Sequence, residues 1–390
     1  MASYLPAMYT RRLTLPATSF FLFGPRATGK TTWLRQVLGD AHWYDLLAND
    51  VYLGFLHDPG RFGREVEALP SGSWVVVDEV QKVPALLDEV HDLISRHGRD
   101  YRFALSGSSA RKLRRAEANM LAGRVINRSC FPLTLRELGE DLDMQRVLAT
   151  GLLPGVRSQA DVAPDILEAY ASNYLRQEIQ QEALTKDVAG FSRFLRVAAL
   201  MNGEPMNASN VAREAQVSRS TVQRHFEILV DTLIGVWVPA WQPRLKVREA
   251  ALPKFYFFDP GVARAAAGRV RFSVQESEIG TLLETWVLHE LRAHVQFSQC
   301  GGEVAWYRTK NGVEVDFVWT SPAGNIGIEV KASRRWRSEH GNALREMLAK
   351  GAIRKAVGVY LGDRALMDGE VRVLPARTWA MEIEEHMALS

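Results

Sequence analysis

Hydrophobic runs and polar breaks divide the chain into three stretches. Up to about residue 135, apolar strand-like segments alternate with helix-like ones: Ser19–Phe23, then a helix over Thr31–Leu38, then the strands Trp74–Val77 and Tyr101–Leu105. The unbroken WVVV run suits a strand buried on both faces of a parallel sheet. Strands separated by helices predict a parallel α/β sheet. From about 136 to 270 the pattern turns helical, over Ile166–Ile179, Val188–Met201 and a helical pair within Asn207–Leu233. Strand-like Trp237–Trp241 and Lys254–Phe258 follow. The last third opens with a helix over Gly280–Val295. Strands are expected at Glu303–Tyr307, Val313–Trp319 and Asn325–Val330, then a helix near His340–Lys350 and a strand near Ala356–Leu361. The expected division is 1–135, 136–270 and 271–390.

Composition narrows the class. The chain has 390 residues, 47% hydrophobic and 24% charged, enough for real cores and against global disorder. No run approaches the roughly 18 apolar residues of a membrane span, and the first residues lack a secretory pattern. Cys130 and Cys300 stand far apart, which supports neither a disulfide framework nor a Cys-type zinc site. A cytoplasmic setting, with no membrane, is the expectation. A net charge of +3 is compatible with nucleic-acid binding but does not demand it.

The sharpest motif is GPRATGKTT. Gly24, Pro25, Arg26, Ala27, Thr28, Gly29, Lys30, Thr31 and Thr32 fit GxxxxGK[ST] between a strand and a helix. Backbone N–H groups and a helix N-terminus there offer partial positive charge to phosphates. Lys30 would reach the β- and γ-phosphates, and the Thr31 hydroxyl would ligate Mg2+. WVVVDEV then sets Asp78 and Glu79 at the end of an apolar strand, where ligands bind on open parallel sheets. Asp78 would hold the metal and Glu79 would polarise water. Ser108 and Ser109, after the third strand, are candidates for contact with the γ-phosphate or the attacking water.

The ordered set GPRATGKTT, WVVVDEVQ, LSGSSA and LAGR before FPLTLREL resembles AAA+ ATPases. More narrowly, it is similar to bacterial and archaeal ATPases whose C-terminal half is a domain of unknown function. That likeness also takes in GLLPG, YLRQEI, PKFYFFDPG and EVDF…IEVK. The resemblance implies ATP with Mg2+, a homo-oligomer, and a role for Arg124 at a neighbouring subunit's γ-phosphate. The intact Lys30, Asp78 and Glu79 argue against a dead ATPase.

Two further constellations stand outside the loop. Asn207–Ile234 has helix-turn-helix spacing, with Val211, Ala212 and Ala215 on one apolar face and Val222, Phe226 and Leu229 on the next. Ser218 is a candidate cap. Arg219, Ser220, Thr221, Gln223 and Arg224 would be exposed, types that suit DNA contact. With the strands after it, this segment reads as a winged helix, a fold that also serves as a rigid lid. In YRTKNGVEVDFVWTSPAGNIGIEVKAS, strict alternation puts Glu314 and Asp316 on one face and Val313, Val315 and Phe317 on the other. Hairpin pairing would gather Asp316, Glu329 and Lys331 into an oxygen-rich Mg2+ site, with Mn2+ as a substitute, and a lysine to act on water. The plain alternative is a hairpin with an Asp316–Lys331 ion pair. The Asp…Glu-x-Lys arrangement resembles the PD-(D/E)XK nuclease fold. That likeness implies a supporting glutamate on the preceding helix, and Glu284 matches better than Glu290.

The expected architecture is therefore α/β: an AAA+ P-loop parallel sheet, a helical and winged-helix middle, and a small restriction-nuclease-like α/β domain. The expected function is ATP hydrolysis that controls DNA binding or cleavage, or an ATP-dependent switch without cleavage. The histidines lack ligand spacing, and His225 and His289 are expected at the surface or half-buried. The tryptophans read as core. The basic run Arg111–Arg115 reads as a solvated face, a subunit interface or a nucleic-acid contact.

Overall fold

The structure is a computed structural model that describes residues 9–108, 121, 123–139, 143–174, 187–242, 252–309 and 312–389. The expectations for Arg111–Arg115, Ser109 and most of YLRQEI fall outside these residues. The chain forms two compact units. One comprises Arg11–Pro132 with Asp231–Ile234; the other comprises Leu133–Val230 and Gly235–Ser390.

In the first unit five strands, β1 (Phe20–Phe23), β2 (His42–Asp45), β3 (Ser73–Asp78), β4 (Tyr101–Gly107) and β5 (Ile126–Ser129), pair in the order β2-β3-β4-β1-β5, all parallel. Among the described residues, four helices lie between the strands: α1 (Lys30–Val37), α2 (Asn49–His57), α3 (Gly60–Glu67) and α4 (Leu86–His97). Within the WVVV run, Val75, Val76 and Val77 are buried, and Trp74 is half-buried. Val75 and Val77 pack with Phe21, Phe62 and Phe103, and Val76 is fully buried as well. Leu86, Leu87, Val90 and Leu93 give α4 one apolar stripe, at helical spacing, that closes the same core. Because every strand is parallel, all five carboxyl ends lie along one edge of the sheet. The phosphate loop and the acidic pair both sit there. The sequence reading did not name β2, a four-residue strand on the edge of the sheet.

The second unit begins with short helices and a π turn at Tyr170–Tyr174, so the helix expected over Ile166–Ile179 is described only as Ala163–Ala169. Three helices follow: α5 (Val188–Leu200), α6 (Ala208–Ala215) and α7 (Arg219–Asp231). The antiparallel pair β6 (Gly235–Val238) and β7 (Lys254–Phe257) comes next. Asn207 Oδ1 caps α6 through Ser209 N–H, and Gln216, at φ 55°, ends it. The Ser218 hydroxyl accepts from Thr221 N–H at 3.1 Å and starts α7. Phe226 locks the helices to the strand pair, 4.8 Å from Phe194 and 4.7 Å from Phe255 between ring centres.

A six-stranded mixed sheet completes the unit, in the order β12-β13-β11-β10-β9-β8. Its strands are β8 (Glu303–Arg308), β9 (Glu314–Ser321), β10 (Gly324–Lys331), β11 (Lys355–Tyr360), β12 (Leu366–Asp368) and β13 (Val371–Pro375). The long helix α8 (Glu276–Ser298) packs on one face and α9 (Asn342–Ala349) on the other. The chain after β6 runs alongside the edge strand β8: Trp306 N–H donates to Pro239 O at 2.9 Å, and Trp241 N–H to Trp306 O at 2.6 Å. An edge that would otherwise be open is thereby paired.

Strict alternation fails on β9. Val315 and Val318 share one core, whereas Phe317 and Trp319 share the other with Ile326, Ile328 and Val330. The cause is a bulge: the β8–β9 register shifts between Ala305 and Tyr307. An extra residue in one strand reverses the facing of everything beyond it. The expectation that Val315 and Phe317 share a face is corrected on this ground. A second correction concerns the histidines, which are both buried, at 1% exposure for His225 and 3% for His289. His225 lies 4.9 Å from the ring centre of Phe191 and 5.0 Å from that of Phe194. His289 Nε2 lies 3.1 Å from Leu133 O.

Candidate active sites

The phosphate loop runs from the end of β1 into α1. Gly24 lies so close to the chain at Cys130 that a Cβ there would run into the Cys130 carbonyl. Gly29 takes φ 90°, a left-handed turn that lets the loop open directly into the helix. Lys30 is 5% exposed, and its Nζ donates to the carbonyls of Gly24 at 2.8 Å and Pro25 at 3.1 Å. Thr28 Oγ1 donates to Pro25 O at 2.8 Å. Arg11 braces the outside of the loop: Nη1 donates to Thr28 O and Nη2 to Phe131 O, each at 2.7 Å.

The acidic pair meets this loop through hydroxyls. Thr31 Oγ1 donates to Asp78 Oδ2 at 2.7 Å. Ser106, at the end of β4, donates to Asp78 Oδ1. Glu79 takes a left-handed φ of 59°, uncommon for a residue with a Cβ, and its N–H donates to Ser106 Oγ at 3.2 Å. Its Oε2 accepts from Ser108 Oγ at 3.1 Å and from Gln81 Nε2. Both carboxylates are buried, at 1% and 6% exposure, and both are held by neutral donors. The sequence reading named Ser108 and missed Ser106, Gln81 and Arg11. Ser106 and Gln81 stand in the quoted motifs LSGSSA and WVVVDEVQ, but only strand pairing shows that they touch the acids. Thr31 and Asp78 lie together with oxygens of the kind Mg2+ takes, so these residues fit that ion. Arg124 stands apart on an exposed turn, with Nη1 3.1 Å from His91 Nε2 of α4.

The second cluster forms where β9 and β10 part. Their ladder stops at Phe317 opposite Ile328. Asp316 Oδ2 then accepts from the next free amide, Val330 N–H, at 2.7 Å. Lys331 Nζ pairs with Glu329 Oε1 and lies 4.0 Å from Asp316 Oδ2. Glu284, on α8, accepts from the Tyr256 hydroxyl at 2.7 Å. Glu290 points elsewhere and accepts from Leu135 N–H at 2.8 Å. Lys254 on β7 enters the same cluster, with Nζ 2.5 Å from Glu314 Oε1 and 4.0 Å from Glu284 Oε2. Sequence reasoning missed Lys254, Tyr256 and Glu314 as site residues, because β7 lies about 60 residues before β9 and only packing joins them.

Burial sets the electrostatics here. It raises Glu284 to about 7, reinforced by the negative charge of Asp316. Burial also raises Asp316, against the pull of Lys331 and Lys254, and pushes Glu329 well above the carboxylate range with help from Asp316. Burial alone would depress Lys254 and Lys331, but the surrounding carboxylates outweigh it and both are raised. Glu329 Oε2 is buried with no partner among the described residues. The donor chemistry suits a divalent cation, yet the arrangement does not fit one. Among the described residues no three His, Cys, Asp or Glu side chains form a metal cage, and the chain's own ammonium groups stand among the carboxylates.

On α7, Arg219, Ser220, Gln223 and Arg224 are exposed and Thr221 is half-buried. Val222, His225, Phe226, Ile228 and Leu229 face inward.

Comparison with known proteins agrees with the first site. Residues 17–139 match the AAA domain family. An AAA domain opens the chain. It is a domain of ATPase type, fused to a C-terminal part in which residues 141–272 and 279–379 match two domains of unknown function (DUF8612 and DUF4143). An uncharacterised protein of Mycobacterium tuberculosis and one of Mycobacterium bovis are each 26% identical over 372 residues, covering 94% of this chain and 82% of theirs. Among solved structures, a Thermotoga maritima RuvB variant aligns at TM-score 0.29 and 17% identity, over 57% of this chain and 82% of its own. A Bacillus subtilis DNA clamp loader delta protein aligns at TM-score 0.24 and 12% identity, over 70% and 95%. Among the described residues no helix is long and apolar enough to cross a membrane.

Proposed function

We infer that this protein is a Mg2+-dependent ATPase whose nucleotide state controls DNA binding by its second unit. The observation that carries the reading is the pairing of loop and acids at one sheet edge: Thr31 on Asp78, with Glu79 held by Ser108 and Gln81. In it, the amides of Gly24–Thr32 and the Lys30 ammonium bind the phosphates. Thr31 and Asp78 would hold Mg2+, which when bound would supply positive charge at the transferring phosphoryl group. Glu79 orients and polarises water. Ser108 keeps its carboxylate aimed until substrate enters. Arg124, on an exposed turn beside His91, would serve a neighbouring copy in a homo-oligomer. The three-part division at 135 and 270 is retained as the organisation of these roles.

DNA engagement is assigned to the winged helix formed by α5 to α7 with β6 and β7. Its exposed Arg219, Gln223 and Arg224, with Thr221, suit phosphate and base-edge contacts. A PD-(D/E)XK-like site at Glu284, Asp316, Glu329 and Lys331 would add cleavage. The second reading, a switch that binds DNA or a protein partner without cutting, is favoured by one observation: Lys254 stands among the carboxylates a metal would need.

The test is ATP turnover and DNA binding by the wild type, Lys30→Ala and Glu79→Gln, with cleavage followed in Mg2+ or Mn2+. ATP turnover lost in both variants, with DNA affinity that changes between ATP and ADP, supports the reading. A wild type that folds and hydrolyses no ATP overturns it.

A further inference from the structure

Lys254 has a place no motif predicts. It is 4% exposed in its side chain, although lysine is almost never fully buried without a partner. Its Nζ lies 2.5 Å from Glu314 Oε1, 4.0 Å from Glu284 Oε2 and 4.8 Å from the centre of the Trp306 ring. Asp316 also acts on its charge. The backbone that carries it is fixed on both sides, by pairing with Val238 and by a bridge to Pro205. The half-buried Glu284 and Glu314 and the buried Asp316, which would otherwise repel one another, thus share a cation covalently tied to the chain. Opposite them, Glu329 Oε2, in a side chain 8% exposed, is buried and unpartnered among the described residues, so one oxygen of the cluster is left unsatisfied.

We propose that Lys254 is a tethered cation that occupies the carboxylate site and competes with a divalent metal ion for it. The proposal rests on the reading of Glu284, Asp316 and Glu329 as the candidate oxygen ligands. A unit positive charge held a few ångströms from those oxygens repels an incoming M2+. The same lysine removes the like-charge repulsion that a metal would otherwise relieve. Metal can enter only when Nζ leaves Glu284 and Glu314. Because Lys254 belongs to β7, any displacement of the β6–β7 pair moves the lysine with it.

The experiment uses Mn2+ alone as the probe, in the full chain without nucleotide, with the bound fraction read by electron paramagnetic resonance. The variants are wild type, Lys254→Met, Lys254→Met with Asp316→Asn, and Glu314→Gln, with folding checked by circular dichroism. Lys254→Met is expected to bind Mn2+ at least tenfold more tightly than wild type, with the gain erased by Asp316→Asn. Glu314→Gln leaves the lysine in place but turns its shortest contact from an ion pair into a neutral hydrogen bond, and a gain of several-fold is expected. This variant tests the proposal where Lys254→Met does not fold. Equal affinity in wild type, Lys254→Met and Glu314→Gln, lost on Asp316→Asn, overturns the lock and leaves the ligand reading standing. No Mn2+ bound by any folded variant overturns both.

Discussion

The two acidic clusters of this protein are built from the same residue types and behave differently. At the phosphate loop, Asp78 and Glu79 end a strand and are held by hydroxyls and an amide: Thr31, Ser106, Ser108 and Gln81. Lys30 is kept off them by backbone carbonyls. In the second unit, Glu284, Glu314, Asp316 and Glu329 face two lysines directly. Neutral partners aim a carboxylate without neutralising it, so its charge stays available to a metal or a water. Charged partners satisfy it internally, and a ligand must displace them. The first arrangement leaves its carboxylates charged and aimed; the second pairs them with the chain's own ammonium groups.

The sharpest way to break this comparison is Lys30→Ala. Losing a preorganised charge at the transferring phosphate lowers ATP turnover by a hundredfold or more. Mn2+ titrations of the second unit should read the same in this variant as in wild type, and steady-state ATPase assays beside them check both. If turnover persists, the loop site is not the catalytic one.

His225 gives the second unit one acid-sensitive group. Burial lowers His225 from 6.5 to about 4, with Arg224 adding to the shift, so folding favours its neutral form. A group whose folded pKa is depressed in this way contributes fully above about pH 6.5 and loses its contribution as pH falls toward 4. The loss is at most about 3 kcal/mol. His225→Phe should flatten the difference between melts at pH 7 and pH 4.5 for the second unit. An unchanged pH dependence removes His225 from the account.

The DNA reading is sharpened by Arg219→Ala with Arg224→Ala. Affinity for duplex DNA should fall about tenfold or more, and the slope of log K against log salt should drop by about two. ATP turnover without DNA should stay level. The smallest effect belongs to Ser218→Ala, which removes the α7 cap and costs about 1 kcal/mol in denaturant unfolding, with no effect on ATP turnover without DNA.

Much of the first unit was legible. GPRATGKTT, WVVVDEV and LSGSS each carry local chemistry at fixed spacing, and a strand buried on both faces announces itself by an unbroken apolar run. Ser106 and Gln81 were written in those motifs but not readable as partners, because their contact with Asp78 and Glu79 depends on β4 lying beside β3. The carboxylate cluster was half legible. The alternation of β9 and β10 brought out Asp316, Glu329 and Lys331, yet it misplaced Val315 against Phe317. A bulge adds a residue that no periodicity marks.

By itself the sequence determined what is local: the phosphate loop, the acids that end β3, the capped helix pair and the Asp…Glu-x-Lys pattern. These depend on neighbours a few residues away, so spacing suffices to find them. Only the tertiary structure decided what is distant in the chain. It set Lys254 beside Glu284 and Glu314, closed His225 between Phe191 and Phe194, and joined the β6 segment to the edge of the last sheet. Those contacts arise where separate apolar faces share one core, and burial then fixes which charges meet.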